Sequence, residues 1–240
     1  MSRTTSIGSQ PRGGRKPGPL LLPEPEGTPR SRPVATSSGR SKGRQPGRTR
    51  ERLLVAACEL IRQLGHVPPI NEVAKVAGVS RATAYRSFSS RSKLIAAVVD
   101  HSLGPVRRFE SRLDKVDERL EELFGTTFLR FTEFEPQMRS ALQLSLEHEA
   151  LQAAGRLEEE PYRRGYRIDI LQRTFAPLTR TMPARSVDRL CKAMSLLFGI
   201  EPYVILKDIW NCDNEEVGRI ALWMANALLH EAQREPAVQA

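Results

Sequence analysis

Cysteine is scarce in this 240-residue sequence, with only Cys58, Cys191 and Cys212. They form no CxxC pair and no Cys/His cluster with zinc-ligand spacing, which argues against a zinc site and a disulfide framework. Cys58 and Cys191 lie in apolar helical patterns, where a reduced cysteine acts as a small hydrophobic residue. We therefore expect no metal centre and no cofactor. The odd, sparse count is typical of a reducing cytoplasm.

Long apolar runs and enzyme motifs are also missing. The leucines at positions 20–22 are flanked by prolines and form too short a run for a membrane span or signal segment, so no membrane partner is expected. The sequence contains no GxSxG, P-loop, GxGxxG or HExxH motif. Glu147, His148 and Glu149 are consecutive and would point in different directions on a helix. We interpret them as a solvated helix face, which leaves no candidate for an enzyme active site.

Positive charge is concentrated at the N-terminal side. The net charge is +9, and residues 1–50 hold eleven Lys and Arg against two acidic residues. This asymmetry favours a nucleic-acid partner. Residues 1–46 are rich in Pro, Gly, Ser and Arg with almost no periodic apolar residues, which predicts disorder. This tail is either a basic arm that adds non-specific DNA contacts, or a solubilising leader or misassigned start. No amphipathic helix or lipidation signal favours a membrane-surface role.

Helical periodicity dominates the rest of the sequence, and no convincing strand or internal repeat is found. The pattern predicts an all-α protein with a three-helix helix-turn-helix DNA-binding domain at residues 47–92. A helical ligand-binding and dimerisation domain is predicted at residues 93–235. Within that domain we expect helices at about 113–134, from Pro136 onwards, at 162–175, from Pro183 to Trp210 with a kink near Gly199 and Pro202, and at 215–232.

The most informative segment is residues 70–88, INEVAKVAGVSRATAYRSF. Gly78 supplies the positive φ of a sharp helix stop, and Ser80 can cap the next helix. The result is a helix-turn-helix whose second helix can enter a DNA major groove. Helix, glycine and helix alone are a weak signal, but the outward positions suit phosphate and base-edge contact. The candidate DNA-binding residues are Ser80, Arg81, Ala82, Thr83, Tyr85, Arg86 and, at the start of the fourth helix, Arg91.

Residues 50–98 resemble the tetracycline-repressor (TetR) family of transcriptional regulators. The resemblance covers about a fifth of the chain. It implies a homodimer that binds a palindromic operator in double-stranded DNA, and repression relieved by a small molecule. The residues that carry it are Ala56, Ala57, Gly65, Val73, Ala74, Ala77, Gly78, Val79, Ser80, Thr83, Tyr85, Phe88 and Leu94.

Two positions depart from the family pattern. Pro69 stands where the family commonly has a threonine that caps the second helix and touches phosphate. Arg91 stands where a lysine usually opens the fourth helix, and it keeps the charge while adding forked donors. Tyr85 resembles the family tyrosine that bonds a phosphate; its alternative role is packing with Phe88.

The aromatic residues of the helical domain have two interpretations. They either line an apolar pocket between helices, which is a common ligand site in bundles, or fill the core. For the group, the family resemblance favours a cavity for an apolar small-molecule effector. The residues are Phe124, Phe128, Phe131, Tyr162, Tyr166, Phe175, Phe198 and Trp210.

The most apolar helices of the C-terminal half predict a dimer interface. Two such helices from each subunit would form a four-helix contact around a two-fold axis. Alternatively, both helices are buried within one subunit; the family layout favours the interface. The expected interface residues are Val187, Leu190, Met194, Val217, Ile220, Met224 and Leu228.

These observations predict a cytoplasmic, DNA-binding transcriptional regulator, most simply a ligand-responsive repressor. One alternative is a DNA-binding protein without an effector, whose C-terminal domain only dimerises or binds a protein partner. A second alternative is an enzyme in the helical domain. The absence of a convergent acid–base or metal set in the sequence argues against the enzyme.

Overall fold

The computed structural model describes residues 46–234. The predicted disorder of the basic tail lies outside the described residues. Within the described range every regular element is a helix, so the all-α prediction is confirmed, and no helix there is long and apolar enough to cross a membrane. The helices are α1 (Pro46–Leu64), α2 (Ile70–Val76), α3 (Arg81–Ser87), α4 (Arg91–Ser102), α5 (Gly104–Arg107), α6 (Val116–Ala153), α7 (Tyr166–Phe175), α8 (Ala184–Met194), α9 (Glu201–Asp208) and α10 (Asn214–Arg234), with a 3-10 helix at Ala176–Arg180.

Helices α1, α2 and α3 pack on one another around a small apolar core. Ala57 and Ile61 lie four residues apart on α1, so they share the face that the core buries. Ala74 of α2 and Ala84 of α3 are buried in the same cluster. Their small side chains let the two short helices approach closely. The core therefore holds α3 by one face and leaves its other face to solvent.

The turn between α2 and α3 forms as the sequence predicts. Gly78 has a φ of +60°, a conformation that glycine adopts without the steric penalty of a Cβ. Arg52 of α1 donates from Nη2 to the carbonyl of Ala77 at 2.5 Å, which satisfies a carbonyl at the end of α2. The Ser80 side chain accepts from the backbone N–H of Thr83 at 3.2 Å and caps α3. The orientation of α3 is therefore fixed at its start.

The long helix α6 is the scaffold of the C-terminal part, since it packs against α1, α4, α7 and α10. The sequence predicted a helix that ended at Phe134 and a new one from Pro136. That prediction was wrong in the number of helices, because the chain continues as one helix to Ala153. It was right about the position of the disturbance: Phe134 leaves helical geometry, with φ −120° and ψ 26°. Pro136 has no N–H to donate to the preceding turn, which explains a kink at this point.

The segment from Pro183 to Trp210 also differs from the prediction of one kinked helix. It forms two helices, α8 and α9, separated by residues 195–200. Phe198, Gly199 and Ile200 in this connection are buried, so the chain turns inward here. Similarly, α7 begins at Tyr166 and not at Tyr162. Both differences bring non-helical backbone to the centre of the C-terminal part.

Candidate nucleic-acid interface and ligand cavity

Helix α3 presents one exposed face. Ala84 and Phe88 are buried, with exposed fractions of 0% and 2%, and they anchor the inner side of the helix and its end. On the opposite side Arg81, Ala82, Tyr85 and Arg86 are exposed. Tyr85 keeps 47% of its surface, so packing against the buried Phe88 does not account for its position. The sequence-predicted residues of α3 therefore form one continuous surface with two guanidinium groups and a phenol.

The side chains at the start of α3 are ordered by a small hydrogen-bond network. The hydroxyls of Ser80 and Thr83 lie 2.8 Å apart, and Arg86 donates from Nη2 to Thr83 Oγ1 at 3.2 Å. Thr83 is only half exposed. Ser80 and Thr83 thus orient the helix and Arg86, while the outward guanidinium of Arg81 is the first base-reading candidate of the surface.

Arg91 at the start of α4 is held by carboxylates of the C-terminal part. Its backbone N–H and its Nε donate to Glu159 at 3.2 and 3.0 Å, and its Nη2 donates to Glu147 at 2.9 Å. Partial burial lowers the pKa of Arg91, but the hydrogen bonds and charges of Glu147 and Glu159 outweigh it and raise the pKa overall. In this conformation, Nε and Nη2 of the guanidinium that is expected to reach a DNA phosphate are engaged by carboxylates.

Glu159 belongs to residues 156–162, which we call the acidic strap. Two further contacts join the strap to α4: Ser92 Oγ donates to the carbonyl of Glu160 at 2.6 Å, and Lys93 Nζ lies 2.9 Å from the Glu160 carboxylate. Ser92 is buried and Glu160 is exposed. The strap therefore covers the first turn of α4, which follows α3 after three residues.

His148 on α6 connects the strap to the interior, which corrects the prediction of a solvated face at Glu147, His148 and Glu149. His148 is only 1% exposed. Its Nδ1 accepts from the backbone N–H of Tyr162 at 3.0 Å, so its Nε2 carries the hydrogen that faces Glu159 Oε1 at 3.2 Å. The strap, folding back eleven residues later in the chain, buries the ring. Glu147 and Glu149 are exposed as predicted, and Glu147 accepts from Arg91 Nη2.

A cavity of about 90 Å³ lies between α4, α5, α6, α7 and the 195–200 connection. Its apolar wall includes Val99 of α4, Phe131 and Met138 of α6, Ile170 of α7, and Phe198. Four of the aromatic residues predicted to bind a ligand line it. They are Phe131, Tyr162, Tyr166 and Phe198.

The other predicted ligand residues lie elsewhere. Phe124 and Phe128 stack with ring centroids 5.7 Å apart and line an outer groove between α6 and α10. Phe175 is fully buried in the core. Trp210 is 72% exposed at the end of α9, so it does not line an interior cavity. The prediction included these residues because helical spacing does not distinguish a core position from a cavity wall.

Sequence reasoning missed the charged part of the cavity wall, which consists of Arg107, Arg164 and Arg167. Arg167 donates from Nη2 to both oxygens of Glu201 at 3.0 and 3.1 Å, and Arg164 donates from Nη1 to the same carboxylate at 2.7 Å. Burial raises the pKa of Glu201, but the charges of Arg167 and Arg164 and the hydrogen bonds to the carboxylate together outweigh burial and lower the pKa overall. Glu201 is therefore ionised at neutral pH and shared between two guanidinium groups. The cluster of Arg163, Arg164 and Arg167 was a visible, though unspecific, signal.

The predicted dimer residues divide into two groups. Val187, Leu190, Met194 and Val217 are buried in the core of the chain itself, with exposed fractions of 7%, 3%, 0% and 0%. These four residues are therefore buried within one subunit, where α8 packs against α7 and α10. The remaining three are accessible on the open side of α10. They are Ile220, Met224 and Leu228.

No three His, Cys, Asp or Glu side chains within residues 46–234 are arranged as a metal site would require. Burial raises the pKa of the Cys58 thiol to about 11, so this cysteine stays protonated at neutral pH. Its backbone carbonyl accepts from Gln137 Nε2 at 3.0 Å, which ties α1 to α6. Cys58 is thus a packing residue of the junction between the two parts of the chain.

Comparison with known proteins agrees with this geometry. Residues 53–98, which include the whole helix-turn-helix, match the family model of bacterial regulatory proteins of the tetR family. No curated protein matches the sequence.

Two solved structures share the fold over most of the chain. A tetR-family transcriptional regulator from Streptomyces coelicolor is 19% identical, with a TM-score of 0.54 over 78% of this chain and 82% of that one. A TetR transcriptional regulator from Rhodococcus sp. RHA1 is 20% identical, with a TM-score of 0.51 over 76% of this chain and 97% of that one. In its helix-turn-helix and in its all-helical fold, the chain is therefore similar to bacterial regulatory proteins of the tetR family.

Proposed function

We propose that this protein is a dimeric, ligand-responsive repressor that binds a palindromic DNA operator through α3 and releases it when the cavity is occupied. The observation that carries the proposal is the position of α4. This helix begins at Arg91, four residues after the end of α3, and lines the cavity with Val99 at its far end. At 1.5 Å per residue, its 12 residues span about 18 Å. A helix of that length transmits a displacement from the cavity to α3, which would be the recognition helix.

The acidic strap provides a second connection between the same two places. Tyr162 lines the cavity, and its backbone N–H is fixed on the buried His148. Three residues earlier, Glu159 holds Arg91. An occupant that displaces Tyr162 therefore moves the strap, and the Glu159–Arg91 pair transmits this movement to the start of α4. The strap would have one arrangement in the DNA-bound protein and another in the effector-bound protein. The two arrangements would differ in their affinity for the effector, and such a difference couples effector binding to DNA binding.

Such a dimer would repress transcription by occupying its DNA site. Two copies of α3 related by a two-fold axis would enter successive major grooves of a palindromic site. Occupation of that site excludes other proteins from the same stretch of duplex. The exposed face of α3 supplies the groove contacts through Arg81 and Arg86, and Tyr85 offers a phenol to a phosphate.

The DNA part of the proposal is tested by selecting bound duplexes from a random pool and measuring affinity against salt. A dimer with about six to ten phosphate contacts should lose about 10³–10⁵-fold in affinity between about 50 and 200 mM salt. The selected sequences should be partly palindromic. Binding that does not depend on salt, or no selected duplex at all, would contradict the proposal.

One observation favours a second candidate, a DNA-binding regulator without an effector. The cavity holds about 90 Å³, less than most drug-sized ligand sites, whose volume runs to several hundred Å³. In that case the C-terminal part serves only dimerisation or a protein partner. A thermal-shift screen with small apolar compounds separates the two candidates, because a ligand that binds only the folded state raises the melting temperature.

A further inference from the structure

We propose that the cavity takes a small carboxylic acid with an apolar body, and that Arg164 and Arg167 bind its carboxylate. The proposal rests on the proposed function, in which this cavity is the effector site. It adds the chemical class of the effector and the residues that select it. Apolar residues alone would select only for size and hydrophobicity.

The charges around the cavity leave an excess of positive charge. Arg107 pairs with Asp100, while Arg164 and Arg167 share the single carboxylate of Glu201. Two guanidinium groups against one carboxylate leave one positive charge uncompensated by these contacts. A ligand with one negative charge would balance this charge, whereas a ligand amine would be repelled by the guanidinium groups.

Arg164 also has an unused donor. Its Nε is buried, and no hydrogen-bond partner is found for it among residues 46–234. A buried N–H without a partner costs free energy, on the order of 1–3 kcal/mol, and such groups are rare in folded proteins. A carboxylate oxygen accepts this hydrogen bond, and the planar guanidinium fork suits a planar carboxylate.

The backbone beside the arginines is shaped to hold the charged groups. A side chain at Gly199 would meet the Glu201 carboxylate, and would approach Arg167 Nη2 at 2.8 Å. Arg167 Nη1 also donates to the carbonyl of Ser195 at 2.7 Å, which fixes the guanidinium against the 195–200 connection. The guanidinium of Arg167 is thus held in place before any ligand enters.

Tyr162 adds a neutral donor to the same wall. Burial raises the pKa of its phenol to about 12, so the hydroxyl keeps its hydrogen at neutral pH. A hydroxyl can donate to a carboxylate, whereas a phenolate would repel it. Because the backbone N–H of Tyr162 is held by His148, a ligand that moves Tyr162 also acts on the acidic strap.

The apolar side of the cavity determines the size and chemistry of the ligand's apolar body. Phe131, Met138 and Phe198 offer two rings and a flexible thioether, which suit an aromatic ring or a short alkyl chain. The volume of about 90 Å³ fits a small body without rearrangement. A longer chain would have to part the helices around the cavity, including α4.

The test compares ligands of equal size that differ only in their head group. Isothermal titration of the full-length protein at neutral pH would use hexanoate, octanoate and phenylacetate beside the matching alcohols and amines. We expect each acid to bind about tenfold or more tightly than its alcohol, and the amines to bind weakest. Equal binding of acid and alcohol, or no binding by any acid, would overturn the inference.

Three variants locate the head group. Arg164→Gln should lower acid affinity about tenfold and leave alcohol affinity unchanged. Arg163→Gln removes the same charge from the adjacent, exposed residue outside the cavity wall and should change neither. Glu201→Gln removes the competing carboxylate and should raise acid affinity, a gain that a misfolded variant cannot produce. Unchanged acid affinity in both Arg164→Gln and Glu201→Gln would refute the assignment.

Operator binding in the presence of the tightest acid separates this inference from the proposed function. If the acid binds with the predicted dependence on Arg164 and Glu201 and the operator affinity stays unchanged, the ligand class stands and the ligand response fails. If an alcohol or a hydrocarbon releases the operator as well as the acid does, the effector site stands and the carboxylate inference fails.

Discussion

Arg81 opens α3 with its side chain in solvent, on the face that Tyr85 and Arg86 share. A guanidinium at the start of a recognition helix can reach the N7 and O6 acceptors of a guanine in the major groove. A phosphate is the other acceptor within reach, and a phosphate contact carries no sequence information. The two roles of Arg81 are distinguished by comparing specific with random DNA.

We expect Arg81→Ala to weaken binding to a selected operator by about 1–3 kcal/mol and to weaken binding to random duplex much less. Lys192→Ala is the control, since it also removes one positive charge, from the exposed end of α8 where Lys192 pairs with Asp188 at 2.6 Å. Fluorescence anisotropy at one fixed salt concentration measures both affinities. An equal loss on operator and random DNA would assign Arg81 to the DNA backbone.

The outward residues of α3 could be predicted from the sequence, because Ala84 and Phe88 mark the inner face by their spacing alone. The environment of Arg91 could not. Its partners Glu147 and Glu159 lie 56 and 68 residues away, and no local pattern indicates such a distant ion pair. The same limit applies to His148, whose burial depends on a strap that returns from a later part of the chain.

At the scale of elements, α4 is fixed at its start by a cap and by the acidic strap. Ser90 has extended geometry, with φ −150° and ψ 164°, and its side chain accepts from the backbone N–H of Lys93. This bond satisfies one of the N–H groups that a helix leaves free at its first turn. The neighbouring Ser89 is exposed and does not cap the helix.

Ser90→Ala should therefore lower the free energy of unfolding by about 1 kcal/mol, because the alanine leaves that N–H without its partner. Ser89→Ala, the adjacent control, should stay close to the parent protein. Urea unfolding measures both, with a lower midpoint and an unchanged slope expected for Ser90→Ala. If the two variants shift the midpoint equally, the cap contributes nothing measurable.

If Arg91 binds a DNA phosphate as the sequence predicts, the acidic strap would compete with DNA for it, and loss of the strap's contact should strengthen DNA binding. We expect Glu159→Ala to raise operator affinity by at most about 1 kcal/mol, since the pair is partly exposed, and to reduce the effect of any effector on that affinity. Glu158→Ala removes the same charge from an exposed position of the strap that does not contact Arg91. Identical gains from both variants would show a general charge effect and no specific competition.

The helices could be predicted where the apolar spacing and the helix-breaking residues indicate the same bounds, as in α1, α3 and α10. The prediction of one helix from Pro183 to Trp210 was wrong because Leu196, Leu197 and Phe198 continue the apolar pattern beyond the end of α8. The turn at 195–200 depends on tertiary contacts instead. Arg167 bonds the carbonyl of Ser195, and Phe198 packs near Phe124 with centroids 5.9 Å apart.

At the scale of the whole molecule, the open side of α10 is the surface that a second copy would cover. Ile220, Met224 and Leu228 recur every four residues and so lie along one side of the helix. Trp223 lies on the same side and is 71% exposed. A partly exposed apolar stripe of this kind is typical of an interaction surface. Because the apolar residues of α8 lie in the core of the chain, this stripe on α10 is the part of the predicted interface that a second copy can reach.

Met224→Asp tests this surface without damaging the subunit. Met224 is only half buried in the single chain, so an aspartate there keeps access to water and the subunit should fold. In a two-fold dimer the same carboxylate would be buried without a partner, at a cost large enough to separate the subunits. Light scattering at low micromolar concentration should therefore report a monomer, and circular dichroism should report an intact helical signal. The Met224→Asp variant should bind the palindromic operator more weakly than the parent dimer, since the two recognition helices no longer act together.

Leu146→Asp, which places the same charge at a site on α6 that is 59% exposed, should remain a dimer. If Met224→Asp also remains a dimer, the subunits meet on another surface.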